Sequence, residues 1–147
     1  MKISIASDHA GYELKEELKD FLERSLHKDV LDFGTDSEES CDYPDFAAKV
    51  SKSVFSGESE LGILICGTGI GMSIAANKFD GIRAARCVTA VDATMAREHN
   101  DANVLCLGAR TVNLDIAKQI VTAFLMTDAS KEERHKRRIA KIRQLEG

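Results

Sequence analysis

A cysteine meets a glycine-rich turn in "LGILICGTGIGMSIAANK", Leu61 to Lys78. Cys66 closes an apolar run, and Gly67, Gly69 and Gly71 alternate with Thr68 and Ile70 behind it. Without β-carbons, glycines let the backbone turn sharply and bring its N–H groups against a ligand. Helical sequence starts near Gly71, and a helix amino terminus favours negative charge. The stretch therefore suits an anion, either a phosphate or a developing oxyanion, and a sulfur held there is favoured as thiolate. Such a thiolate can act as a nucleophile or as a proton-abstracting base. The spacing is not G-x-G-x-x-G, because Met72 stands where the last glycine would be, and it is not a G-x-x-x-x-G-K-[ST] loop.

Four further groups have chemistry to offer. Asp8 and His9 lie together in "SDHAG". Asp8 suits a helix cap as well as a site carboxylate, and His9 can donate to a phosphate or sugar oxygen. His99, in "REHNDANV", ends a helical segment and is either its carboxyl-terminal cap or a proton shuttle. In "KEERHKRRIAKIR", Arg134 and Arg138 are four residues apart and share one helix face, where two guanidinium forks can bind one phosphate. Arg110, just past an apolar strand, leaves it toward the same sheet edge. A solvated helix face or an RNA contact would also explain the basic run, but a small phosphorylated metabolite accounts for the arginines and the cysteine loop together. His27 and His135 are expected on the surface, Cys87 and Cys106 inside strands, and Cys41 in a polar loop without a partner.

These residues need a scaffold, and the pattern supplies one. "KISIAS", "DVLDFG", "LGILIC", "GIRAARCV" and "NVLCLG" read as five strands. "YELKEELKDFLERSL" puts Leu14, Leu18, Phe21, Leu22 and Leu26 on one helical face. Pro44 sits where a helix through Ala47, Val50 and Val54 can begin. Helices over Ala90–His99 and Leu114–Met126 follow the fourth and fifth strands, and Lys131–Leu145 forms a closing helix. Strand–helix alternation repeated in this way predicts a parallel sheet covered on both faces, a three-layer α/β/α sandwich of Rossmann-like type. The expected strand order is 2-1-3-4-5. Ligands of such sheets bind outside the carboxyl ends of the strands where the winding reverses, here between the first and third strands. "SDHAG" and "CGTGIG" are the loops at that point.

Composition narrows the class. The 147 residues read as one domain over 1–147, and a hydrophobic fraction of 44% is that of a globular protein. A formal net charge of −4 does not favour a nucleic-acid partner for the whole domain. No apolar run approaches the ~18 residues of a membrane helix, and "MKISIASDHAG" turns polar too early for a signal peptide. Four dispersed cysteines form no C-x-x-C pair, so neither a zinc site nor a disulfide framework is expected, and a cytoplasmic setting fits.

Taken together, "SDHAG", "DYPDFA", "GILICGTGIGMSIAANK", "GIRAA", "EHNDANVLCLGAR" and "RHKRR" resemble the type B ribose-5-phosphate isomerases. That family also includes allose-6-phosphate and galactose-6-phosphate isomerases. The resemblance implies an aldose–ketose isomerase of the pentose phosphate pathway, with Cys66 moving a proton between C1 and C2 of the open-chain sugar. Thr68 would assist, and amides from Gly67 through Ile70 to Gly71 would stabilise the enediolate. His99, helped by Asp8, would open the furanose ring; Asp8, Tyr43 and Asn100 would contact the sugar; His9, Arg110, Arg134 and Arg138 would hold the phosphate. No metal or organic cofactor is implied, and the sites would be shared between subunits of a homodimer or dimer of dimers. One branch of the family carries a glutamate at the position of Met72; a thioether cannot accept a proton at neutral pH, which aligns this sequence with the cysteine branch. The competing readings are a six-carbon sugar-phosphate isomerase and a flavodoxin-like binding module without chemistry.

Overall fold

In the computed structural model, which describes residues 1–147, five parallel strands alternate with six helices. The strands are β1 (Lys2–Ser7), β2 (Asp29–Asp32), β3 (Leu61–Cys66), β4 (Ala84–Arg86) and β5 (Val104–Gly108). The helices are α1 (Tyr12–Asp20), α2 (Tyr43–Ser56), α3 (Ile70–Ala76), α4 (Ala90–Asn100), α5 (Leu114–Met126) and α6 (Glu133–Gln144). A π-helical turn, Phe21–Ser25, extends α1. Leu14, Leu18 and Leu22 are buried along its predicted apolar face, while Phe21 and Leu26 pack at the margin. Pro44 falls in the first turn of α2, where its missing N–H leaves no helical bond unmade.

The sheet order is β2-β1-β3-β5-β4, which corrects the expected order at one edge. β5 is buried at all five positions and takes the inner place beside β3. β4 has three residues, none fully buried, and pairs only with β5. A continuous apolar run gains most from cover on both faces, whereas a short strand ending in arginine tolerates an edge. The reversal between β1 and β3 is unaffected. Cys87 lies one residue beyond β4 rather than within it. It is buried, and that burial, with the nearby Asp92 carboxylate adding to it, pushes its thiol up to about 12. Burial likewise pushes the Cys106 thiol up.

Two cores flank the sheet. One joins the β-strands to α1, α4 and α5 through residues such as Leu18, Ile63, Ala93, Leu105 and Phe124. The other lies under α2 and α3 and includes Val50, Leu64, Met72 and Ala76. α6 packs outside the layers against α4 and buries only His135. No helix is long and apolar enough to cross a membrane.

One ion pair anchors the β1 and β2 exits. Lys15 is 1% exposed, and its Nζ donates to both carboxylate oxygens of Asp32, at 2.8 and 2.7 Å. Asp32 also accepts from the Gly34 amide, and the Gly34 and Thr35 peptide groups bond to Ser7 at the end of β1. Burial acts to raise the Asp32 carboxyl, but the hydrogen bonds from Lys15 and Gly34, the charge of Lys15 and a further hydrogen bond from Lys19 outweigh it and hold it below the usual carboxylate range. The folded chain therefore binds this proton less readily than the unfolded one. Its stabilisation is present above about pH 4 and is lost as pH falls from there through the depressed folded value. Asp32→Asn is expected to cost about 1–3 kcal/mol at pH 7, with the difference from the native chain shrinking below about pH 4 in urea titrations.

Candidate active site

Register brings the predicted loops together. Ser7 pairs with Ile65, and Cys66 pairs with Gly108, so the exits of β1, β3 and β5 stand side by side at one sheet edge. Cys66 is 5% exposed, and its Sγ accepts a hydrogen bond from the Gly69 N–H at 3.1 Å. The turn that makes this bond needs two particular glycines. Gly69 has φ +80°, a left-handed conformation, and a β-carbon on it would lie 2.9 Å from the Leu107 carbonyl carbon. A β-carbon on Gly108 would lie 2.5 Å from the Thr68 carbonyl carbon. The loop is thus pressed onto the end of β5. Within it the Ile70 N–H donates to Thr68 Oγ1 at 3.2 Å, which leaves the Thr68 hydroxyl proton to be donated elsewhere. Of the amides from Gly67 to Gly71, those of Gly69 and Ile70 are therefore used inside the loop. α3 is only seven residues long, so local amides rather than a long helix dipole face the sulfur.

Side chains from three other elements close around this turn. Asp8 is buried, its amide donates to the Ile65 carbonyl, and its Oδ1 accepts from the Gly11 N–H at 3.1 Å. Gly11, not Asp8, is the residue at the α1 cap. His9 Nδ1 accepts from the Cys41 amide at 3.2 Å, so a neutral ring carries its proton on Nε2 and presents a donor outward. Cys41 is a free cysteine, and the donor to His9 is its backbone amide. Tyr43 begins α2 and lies over Gly71, where a β-carbon would come 2.8 Å from the phenol oxygen. The Arg110 guanidinium lies over Gly67, and the Arg110 amide donates to the Gly67 carbonyl at 2.9 Å. Met72 is fully buried beneath the loop, a packing residue. Arg86, which the sequence reading did not single out, donates from Nε to the Thr68 carbonyl at 2.8 Å.

The remaining candidates lie elsewhere. α4 returns antiparallel to the strands, so His99 and Asn100 precede β5 at the opposite edge. The length of β5 alone separates the two edges by roughly 13 Å. Asp101 ends α4 with φ 45° and is gripped by Arg83 and Arg97. His99 stacks on His135 of α6, ring centroids 4.5 Å apart and planes 7° from parallel. His135 is buried rather than on the surface as expected; burial, with the charges of Arg134 and His99, holds it below the usual imidazole range against the pull of Glu132. His27 is exposed, as expected. Arg134 pairs with Glu132, and Arg134 and Arg138 are exposed on α6 beside this stack. Arg110 and the α6 arginines therefore do not share an edge within one chain. A cleft of about 580 Å³ lies among residues 77–85, the end of α4 and α6; it includes Asn100 and does not include Cys66.

Comparison with known proteins decides what this arrangement belongs to. Residues 3–142 match the family model described as Ribose/Galactose Isomerase. The chain belongs to the ribose/galactose isomerase family. Among family members, ribose-5-phosphate isomerase B of Escherichia coli (strain K12) is 47% identical, over 99% of this chain and 96% of its own. A D-erythrulose-4-phosphate isomerase of Pectobacterium atrosepticum is 41% identical over 85% of this chain and 82% of its own. The solved structure of Clostridium thermocellum ribose-5-phosphate isomerase B superimposes with a TM-score of 0.96 at 54% identity, covering 99% of this chain and 97% of that one.

The close approach of loop and strand can be tested apart from any activity. Gly69 and Gly57 have similar positive φ, +80° and +83°, but a β-carbon on Gly57 meets nothing within 4 Å. Gly57→Ala is expected to cost about 1 kcal/mol in urea unfolding, and Gly69→Ala about 1–2 kcal/mol more. Equal losses would show that the contact with Leu107 exerts no constraint.

Proposed function

We propose that this chain interconverts ribose 5-phosphate and ribulose 5-phosphate through an enediolate, with Cys66 as the base. The observation that carries the reading is the Cys66 sulfur at the β1/β3 reversal, bonded by the Gly69 N–H. The family membership and the type B ribose-5-phosphate isomerases among its relatives support it.

The thiolate takes the proton from C2 of the open-chain aldose, and the C2–H electron pair forms the C1=C2 bond as negative charge moves to O1. The enediolate sits against donors: the Thr68 hydroxyl and the amides of Gly67 and Gly71. The O2 proton then passes to O1, the O2 electron pair forms the C2 carbonyl, and the C1=C2 pair takes the proton back from the Cys66 thiol at C1, which yields the ketose and restores the thiolate. Proton abstraction next to a carbonyl requires both a base in reach and stabilisation of this oxyanion. Asp8 and Tyr43 hold the sugar, and the Nε2–H of His9 and the Arg110 guanidinium take the phosphate, whose binding orients a small flexible substrate.

His99, Asn100, Arg134 and Arg138 belong to the same reaction, contributed from a second copy of the chain. Their position at the far edge is the reason: the His99–His135 stack and the α6 arginines cannot serve the Cys66 of their own chain. His99 then opens the furanose ring while the partner's loop isomerises the product. The protein is a single sugar-phosphate isomerase domain, a homodimer or a dimer of dimers, working in the cytoplasm without a metal or organic cofactor, and binding neither nucleic acid nor membrane.

A substrate panel tests the sugar: ribose 5-phosphate is expected to be turned over faster than allose 6-phosphate, galactose 6-phosphate or erythrulose 4-phosphate. Negligible ribose 5-phosphate turnover overturns the choice. Cys66→Ala is expected to lower solvent-proton exchange into the sugar by at least about 10²-fold, while binding of a phosphate ligand survives. Unchanged function in that variant would favour the binding module. Mixing Cys66→Ala with His99→Ala chains is expected to restore activity in mixed dimers, where one intact composite site can form. Mixed dimers without activity would place the whole site in one chain.

A further inference from the structure

One peptide plane links an unassigned arginine to the sulfur. The carbonyl of Thr68 and the N–H of Gly69 belong to the same trans peptide group and point in opposite directions. The carbonyl receives the Arg86 Nε–H at 2.8 Å, and the N–H donates to Cys66 Sγ at 3.1 Å. The plane has little freedom to rotate otherwise, because Gly108 lies against the Thr68 carbonyl group and Gly69 is held left-handed against Leu107. We infer that Arg86 is a positioning residue for the base, acting through the Thr68–Gly69 peptide to orient and polarise the amide that stabilises the Cys66 thiolate. The inference rests on the proposed role of Cys66 as base.

The physical grounds are specific. A cation hydrogen-bonded to a carbonyl draws electron density through the amide and strengthens the bond its N–H makes, and a charged donor makes the stronger link in such a chain. Arg86 ends the edge strand β4 with its side chain exposed, so it adds little to the core. Other groups stand around the turn: Asp8 at the β1 exit, Arg110 over Gly67, Tyr43 over Gly71, and Cys106 on β5 in the same core cluster as Cys66. None of these hydrogen-bonds the peptide whose amide touches Sγ. Arg110 instead donates its backbone amide to the Gly67 carbonyl, one peptide earlier.

The test follows alkylation of Cys66 by iodoacetamide across pH, read by mass spectrometry of the peptide containing Cys66, together with steady-state kinetics on ribose 5-phosphate. Arg86→Met is expected to raise the alkylation midpoint by about 0.5–1 pH unit and to lower kcat at pH 7 about three- to tenfold, with KM within about twofold. Arg86→Lys, which keeps a charged donor, is expected to recover about half of the shift. A midpoint within about 0.2 unit of the native chain overturns the inference, whatever happens to kcat. Should Arg86→Met not fold, Arg86→Gln keeps an uncharged donor and decides the matter by the same criterion. The alkylation arm uses no sugar, so a native chain inactive on ribose 5-phosphate would refute the proposed substrate while still deciding whether Arg86 and Cys66 are coupled.

Discussion

The structure turns on the contact between the Gly67–Gly69 turn and the end of β5. Parallel pairing sets Cys66 opposite Gly108, and the chain must then leave β3 without colliding with its neighbour. It does so by folding directly onto β5, an approach that β-carbons at 69 and 108 would obstruct. That approach points the Gly69 N–H back at Sγ and places Thr68 within reach of Arg86. A looser turn would give up this hydrogen bond, and the cysteine would then be one more small apolar side chain at a strand end. The reactive character assigned to Cys66 is therefore a consequence of backbone packing.

Support for that turn is spread through the chain. The Cys41 amide on His9 and Tyr43 over Gly71 both come from the stretch that runs from β2 into the first residue of α2. At its start the Lys15–Asp32 pair ties the end of β2 to α1, and hydrogen bonds of the Gly34 and Thr35 peptide groups to Ser7 tie it to β1. A buried lysine is stabilising only when its charge is met, and here the carboxylate that meets it also shapes the loop. Stability and site geometry share the same atoms at this edge of the sheet.

Much of this was legible in the sequence for a physical reason. The alternation of apolar runs and helical periods marked the elements, and the switch point follows from topology, so the loops at Asp8 and Cys66 could be placed before any coordinates. The order of β4 and β5 was not legible, because the choice of strand partner depends on relative burial rather than on local pattern. Arg86 and His135 escaped for a similar reason. Arg86 matters only because a long side chain crosses from β4 to the Thr68 carbonyl. His135 is buried by α6 docking on α4, a helix–helix contact that a strongly basic segment does not advertise. The edge shared by Arg110, Arg134 and Arg138 was expected from residue type, and the antiparallel return of α4 refutes it within one chain.

That separation has a physical logic of its own. A sheet of parallel strands offers one favoured edge, and the β1, β3 and β5 exits already fill it with the proposed base, Cys66, its amide turn, and the His9 and Arg110 side chains proposed for the phosphate. Ring opening needs an acid–base group on the sugar's far side, and a helix running back along the sheet delivers its last residues only to the opposite edge. Two copies related by a two-fold axis can bring one edge of each against the other and make two complete sites from two incomplete chains. The Asp101 cap, held by Arg83 and Arg97, and the rigid stack of His99 on His135 fit such an arrangement. A side chain offered to a neighbour has to be held in place before the neighbour arrives. In the proposed shared site a wall supplied by a second copy leaves Cys66 open in each chain alone, and the cleft of about 580 Å³ lies elsewhere, beside α4 and α6.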